Sequence, residues 1–234
     1  MSDLHNSDGS QADQVIVATA APLADSAGGA APTPPGGPGL SIRFSARDLV
    51  NVAIFGVIFI VVIWAVGMLG VISPLVWLLI TPLQIVIAGI PFALFLTRVK
   101  HAGMISLFAL IIALFFLFSG NSPISTVGIA LLGVLADLIF TTGRSRSKGR
   151  AVLAYTVFSL GFFTPFLPLF IDREAYFATA VWEPMGQAYV EATDRLLSLP
   201  VLGLLALAIG AAGLAGGLIG SATLRKHFVR AGLA

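Results

Sequence analysis

LVNVAIFGVIFIVVIWAVGML, residues 49–69, holds no Asp, Glu, Lys, Arg or His in 21 positions. A helix rises ~1.5 Å per residue, so this run covers the ~30 Å of hydrocarbon in a bilayer. Its apolar residues are continuous, without the alternation of a barrel strand, and a backbone in lipid has only helices and closed barrels open to it. The stretch therefore predicts a transmembrane helix. Similar runs follow at 75–97, 103–119, 124–142, 151–171 and 200–222. The expected fold is an all-α integral membrane protein, a six-transmembrane-helix bundle over 41–234.

Composition agrees with that reading. The chain is 57% hydrophobic and 10% charged, whereas soluble domains average about 25% charged residues. Its mean hydropathy is +0.98. There is no cysteine, so disulfides, thiol nucleophiles and thiolate metal sites are excluded.

Of the 13 basic residues, Arg173 and Arg195 lie in the stretch 172–199; the other eleven flank spans 1, 2, 4, 5 and 6 on one side. They are Arg43 and Arg47 before the first run, Arg98 and Lys100 after the second, and Arg144 to Arg150 after the fourth, with Arg225, Lys226 and Arg230 after the sixth. The connections at 70–74 and 120–123 are uncharged, and 172–199 carries five acids. By the positive-inside rule, both termini are expected in the cytoplasm and 172–199 outside, in a multi-pass protein of the plasma membrane. Short basic clusters beside spans are accounted for by topology and the lipid bilayer, so no nucleic-acid partner is expected.

Residues 1–40 contain no Lys or Arg and include PTPPGGPG at 32–39. Such a segment buries too little apolar surface to order itself and reads as a disordered cytoplasmic tail. VIVATAAPLA at 15–24 lacks the basic flank and the strength of a signal peptide.

Within the bundle, Ser45 is placed to cap helix 1, with Asp48 and Asn51 in its first turns. Pro82 and Pro91 in the second run, and Pro165 and Pro168 in the fifth, predict bends or breaks. The sixth run carries small residues at Gly203, Ala206, Gly210, Gly213, Gly217 and Ser221, one helical face suited to close packing. The connection 172–199 is too polar to span and reads as an external lid. Asp172 is placed to cap a short helix, and Pro184 to open another in which Ala188, Ala192 and Leu196 share a face.

Catalytic signatures are missing: GxxxxGK[ST], HExxH and GxSxG do not occur. No enzyme activity, metal or cofactor is expected, and any ATP-driven step falls to another chain. Asp137 is the one charged residue well inside a span. A carboxylate there is costly and needs a partner. Arg98, Arg43 and Arg47 lie at the same side of the bilayer, and a structural or coupling ion pair of Asp137 with Arg98 is the expectation. By depth, Trp64, Met68, Ser73, Trp77, Asn121 and Ser122 sit near the outer face. Thr164, Tyr176, Trp182 and Glu183 lie near it too, while Tyr189 adds aromatic area to the lid. An apolar cavity with a few convergent polar groups beneath a lid is the form of a small-molecule site. The candidate substrate-binding residues are Trp64, Met68, Asn121, Ser122, Thr164, Tyr176, Trp182 and Glu183.

FSARDLVNVAIFGVIFIVV at 44–62, GIPFALFLTRVKHAGMI at 89–105, GVLADLI at 133–139, FLPLF at 166–170 with DREAYF at 172–177, and KHFVRAGLA at 226–234 together resemble the MptD (Trep_Strep) family of energy-coupling-factor (ECF) transporter S components. The resemblance runs from about Phe44 to the C-terminus. It implies a six-helix, substrate-binding component of an ABC-type importer. Such a component takes a vitamin-like nutrient from outside, a porphyrin such as haem being a candidate here, and joins a transmembrane coupling (T) subunit and two cytoplasmic ATPases. The group's S components are thought to topple in the membrane with their occluded substrate. Small residues on helix 1 commonly meet the coupling subunit, which makes Asn51, Ala53 and Gly56 the implied contact. The group has two small residues four apart, while Ala53 and Gly56 are three apart. The alternative from the residues alone is a stand-alone secondary carrier or a non-transport membrane scaffold.

Overall fold

In the computed structural model the described residues are 44–142 and 147–230, with the backbone alone for 225–230. The expected tail 1–40, Arg43, Arg144 and Arg146 lie outside them. The described chain is helical: α1 (Ala46–Gly67), α2 (Pro74–Leu96), α3 (Met104–Phe118), α4 (Pro123–Thr141), α5 (Lys148–Ser159), α6 (Arg173–Phe177), α7 (Gln187–Leu196) and α8 (Leu199–Arg230). Short 3₁₀ segments occupy Met68–Ile72, Leu160–Phe170 and Glu183–Met185.

Local sequence sets the helix starts. Ser45 and Asp48 form a reciprocal capping box at α1, with Asp48 N–H 3.2 Å from Ser45 Oγ and Ser45 N–H 3.1 Å from an Asp48 oxygen. Ser73 and Ser122 each cap a helix whose first residue is proline, the position where a missing N–H costs nothing. Ser147 caps α5 and Asp172 caps α6. The two proline pairs behave differently. α2 stays one α-helix through Pro82 and Pro91. By contrast, α5 tightens at Leu160 into eleven residues of 3₁₀ helix that contain Pro165 and Pro168. Two absent donors three residues apart suit an i to i+3 register, which explains a run longer than 3₁₀ helices usually sustain.

Five helical stretches are long and apolar enough to cross a membrane: Ala46–Ile72, Pro74–Leu96, Pro123–Thr141, Lys148–Phe170 and Leu199–Leu224. The third expected span is shorter than the sequence implied. α3 has 15 residues and rises ~22 Å, less than the ~30 Å of a bilayer core. One face packs against its neighbours, with Met104, Ile105, Phe108, Ala109, Ile112 and Ala113 all fully buried, while Leu110, Leu114 and Phe118 on the other face are exposed.

The helices pack as α2 on α8, α5 on α8, α3 on α4, and α1 on both α2 and α3. Aromatic rings knit the centre. Phe95 stacks on Phe108 at 4.6 Å, Phe92 stacks on Phe158 at 5.2 Å, and Phe59 meets Phe108 edge-on at 5.3 Å. Outward faces are equally apolar, with Leu207 73% and Leu131 64% exposed. A perimeter of exposed leucine is what lipid solvates and water does not.

Candidate functional site

Trp77, Thr81 and Gln84 fall at i, i+4 and i+7 on α2, one face of the helix. That face, the turn after α1, the 3₁₀ half of the fifth span and the α3–α4 turn enclose a cavity of about 180 Å³. Gly67, Met68 and Gly70 supply one wall, Phe162 and Phe166 another, and Phe116 and Asn121 a third. Gln84 lies deepest along α2 from the Ser73 cap. Across from it, a Cβ on Gly67 would stand 3.0 Å from Gln84 Oε1, so the glycine makes room for the amide.

Residues 172–198 form the roof. Tyr176, Trp182, Met185 and Tyr189 face the cavity from above. Trp182 meets Trp77 edge-on at 5.6 Å and Tyr176 at 5.5 Å, while Trp77 also packs on Phe166 at 5.3 Å. The Tyr189 hydroxyl donates to Gly70 O at 2.8 Å, tying α7 to the turn after α1. Arg173 pairs with Asp194 and donates through Nη1 to Leu197 O at 3.0 Å, which joins α6 to the end of α7. On the other side, Gly120 at φ 89° lies so close to residues 180 and 181 that a Cβ would sit 2.8 Å from Val181 N. Burial pushes the Tyr176 phenol well above its ordinary range, against the opposing charge of Arg173, and burial raises Tyr189 as well. Both therefore stay protonated at neutral pH. Trp182 is 6% exposed and its Nε1–H has no hydrogen-bond partner among the described residues.

The structure brings four of the eight sequence-derived candidates, Met68, Asn121, Tyr176 and Trp182, to this cavity. The other four sit elsewhere. Trp64 is 56% exposed on the perimeter and Glu183 is exposed on the roof. Ser122 caps α4, its Oγ accepting from Ile124 N–H. Thr164 is buried, its Oγ1 within 3.0 Å of Ser125 O and 2.7 Å of Gly161 O. Thr81, Gln84, Phe162 and Phe166 were missed, although the 77, 81, 84 spacing was readable once helix 2 was assumed. The second lid helix opens at Gln187 after Gly186 (φ 79°), three residues beyond the proline expected to start it, which lies in 3₁₀ turn Glu183–Met185.

At the opposite end of the bundle the expectations need correction. The ion pair of Asp137 with Arg98 does not form. Asp137 accepts instead from the Gly103 N–H and from Ser106 Oγ, the latter at 2.9 Å, at the start of α3. At this end His101 Nε2 lies 3.6 Å from an Asp48 carboxylate oxygen. Of the residues implied as a coupling contact, Gly56 is buried, and a Cβ there would touch Ile111 of α3 at 3.4 Å. It faces the bundle and not a partner. Asn51 is half-buried and Ala53 exposed.

No curated protein and no solved structure matches the chain. A family model, described as hypothetical bacterial integral membrane protein (Trep_Strep), matches residues 46–230. With a membrane-helix bundle and that match over most of its length, the chain belongs to the Trep_Strep family of bacterial integral membrane proteins.

Proposed function

We propose that the chain is the substrate-binding component of an energy-coupling-factor importer in the plasma membrane. The observation that carries the reading is the roofed cavity at one end of an apolar bundle whose sequence holds no nucleotide-binding motif. A solute enters from the outside through the roof of residues 172–198, is held among Trp77, Trp182 and Gln84, and leaves toward the cytoplasm. The chain performs no chemical step itself. A transmembrane coupling subunit and two cytoplasmic ATPases supply the work. In this reading α3 is a sixth, short crossing. Its start near Phe44 and its end beside residue 181 lie at opposite ends of the bundle, which supports an even number of passes with both termini on one side. The exposed face of α1 around Ala53 is then the surface open to the coupling subunit.

The test is purification of the tagged chain from its native membrane, with the expectation that a coupling subunit and an ATPase pair accompany it. Transport that persists in cells lacking every such ATPase overturns the import mechanism and leaves a stand-alone carrier.

A further inference from the structure

The chemistry of the cavity narrows its ligand, an inference that rests on the import reading for taking this cavity as the substrate site. No Lys, Arg, His, Asp or Glu lines it. The nearest acid in the roof sequence, Glu183, is exposed and outside the lining. An ion carried into this enclosure loses its water and meets no opposite charge, which disfavours it strongly. Aromatic faces attract cations, and more strongly where desolvated, but they do not replace the hydrogen bonds that an ammonium loses with its water.

What the cavity does offer is flat apolar surface and one uncommitted amide. Trp77, Trp182, Tyr176, Phe166 and Phe162 present rings from three sides. The Gln84 side chain makes no hydrogen bond among the described residues, so its carbonyl and both N–H donors remain available. Asn121 gives its Nδ2 to Phe116 O at 3.1 Å and keeps a free carbonyl. The volume of about 180 Å³ lies below the ~300–1,000 Å³ of drug-sized sites. A porphyrin does not fit, and its propionates would find no cation.

We infer that the cavity takes an uncharged aromatic molecule of one or two rings that carries an amide-like donor–acceptor edge, with Gln84 pairing to that edge and Trp77 and Trp182 enclosing the ring. Charge is rejected by the missing counter-ion, and larger ring systems by the roof. Gln84 sits at the floor, so the polar edge enters first and the ring closes under Trp182.

The experiment is isothermal titration calorimetry of the full chain in detergent with benzamide, benzoate and benzylammonium, one ring carrying a neutral amide, an anion and a cation. Benzamide is expected to bind about tenfold or more tighter than either ion. Gln84→Leu is expected to remove that advantage, and Gln84→Glu to shift preference to benzylammonium, with melting temperature reporting the fold of each variant. Tightest binding by an ion, or no saturable heat from any of the three, overturns the inference, and the wild-type series decides even if neither variant folds. Binding of benzamide by a chain whose transport ignores the ATPases keeps this inference and overturns the import reading. ATPase-dependent uptake of an ion does the reverse.

Discussion

Asp137 shows how a single side chain can take a role its own helix does not announce. α3 starts at Gly103, φ 94°, with no side-chain cap of its own, and the amides of a helix's first turn have no partner inside the helix. Asp137 supplies one from the neighbouring α4, accepting from Gly103 N–H and Ser106 Oγ as the third residue of a capping box would. An acid inside an apolar run marks Asp137 as important. Its partner was unreadable, because a backbone N–H at a helix start has no signature beyond the turn that exposes it. Asp137→Ala is expected to lower stability by about 1.5–3 kcal/mol, the worth of hydrogen bonds to a charged group, seen as a lower melting temperature in detergent. Asp137→Asn keeps one acceptor and should lose less. Equal melting of all three proteins would contradict the capping role.

At the scale of elements, glycine decides which helices approach. α8 carries small residues along 203, 206, 210, 213, 217 and 221, and this periodicity predicts close packing without choosing a neighbour. The structure divides the glycines between two neighbours. Gly213 and Gly217 pack on α5, where a Cβ would lie 2.8 Å from Ser159 Cβ and 3.1 Å from Val152 Cα respectively. Gly216 and Gly220, off that stripe, pack on α2 around Gly89. A Cβ on Gly89 would stand 2.3 Å from Gly216 O and one on Gly220 would stand 2.4 Å from Gly89 O, contacts with backbone that no rotamer relieves. Gly203 has nothing within 4 Å. Gly89→Ala is therefore expected to cost about 1–3 kcal/mol or more by overpacking, read as loss of monodisperse protein in size-exclusion chromatography. Gly203→Ala should behave as wild type. If the two alanines fare alike, the α2–α8 contact is not as close as described. The prolines carry the same lesson: Pro82 and Pro91 leave α2 intact, and only Pro165 and Pro168, three apart, convert a span to 3₁₀ geometry.

For the whole molecule, hydropathy reached the membrane class, the helical architecture and most helix boundaries, because burial in lipid demands long apolar runs whatever the helices later touch. The cavity was half legible. Depth near one face pointed to Met68, Asn121, Tyr176 and Trp182, but Thr81 and Gln84 sit among apolar neighbours deep in α2 and became site residues only when the roof closed over them. Sidedness rests on charge: the described basic residues Arg47, Arg98, Lys100, Lys148 and Arg150 flank the helix ends opposite the roof, and positive charge resists translocation. The chain has no cysteine, so single cysteines can be introduced without background. Glu183 on the roof and Lys148 at the start of α5 are both exposed. Glu183→Cys is expected to react with a membrane-impermeant maleimide in intact cells, and Lys148→Cys only after permeabilisation. Labelling of both from one side would require an even number of crossings between them, where the six-pass arrangement has one, the span Lys148–Phe170, and would break that arrangement. Labelling of Lys148→Cys alone in intact cells would invert the bundle, put the roof in the cytoplasm and turn the direction of the proposed transport.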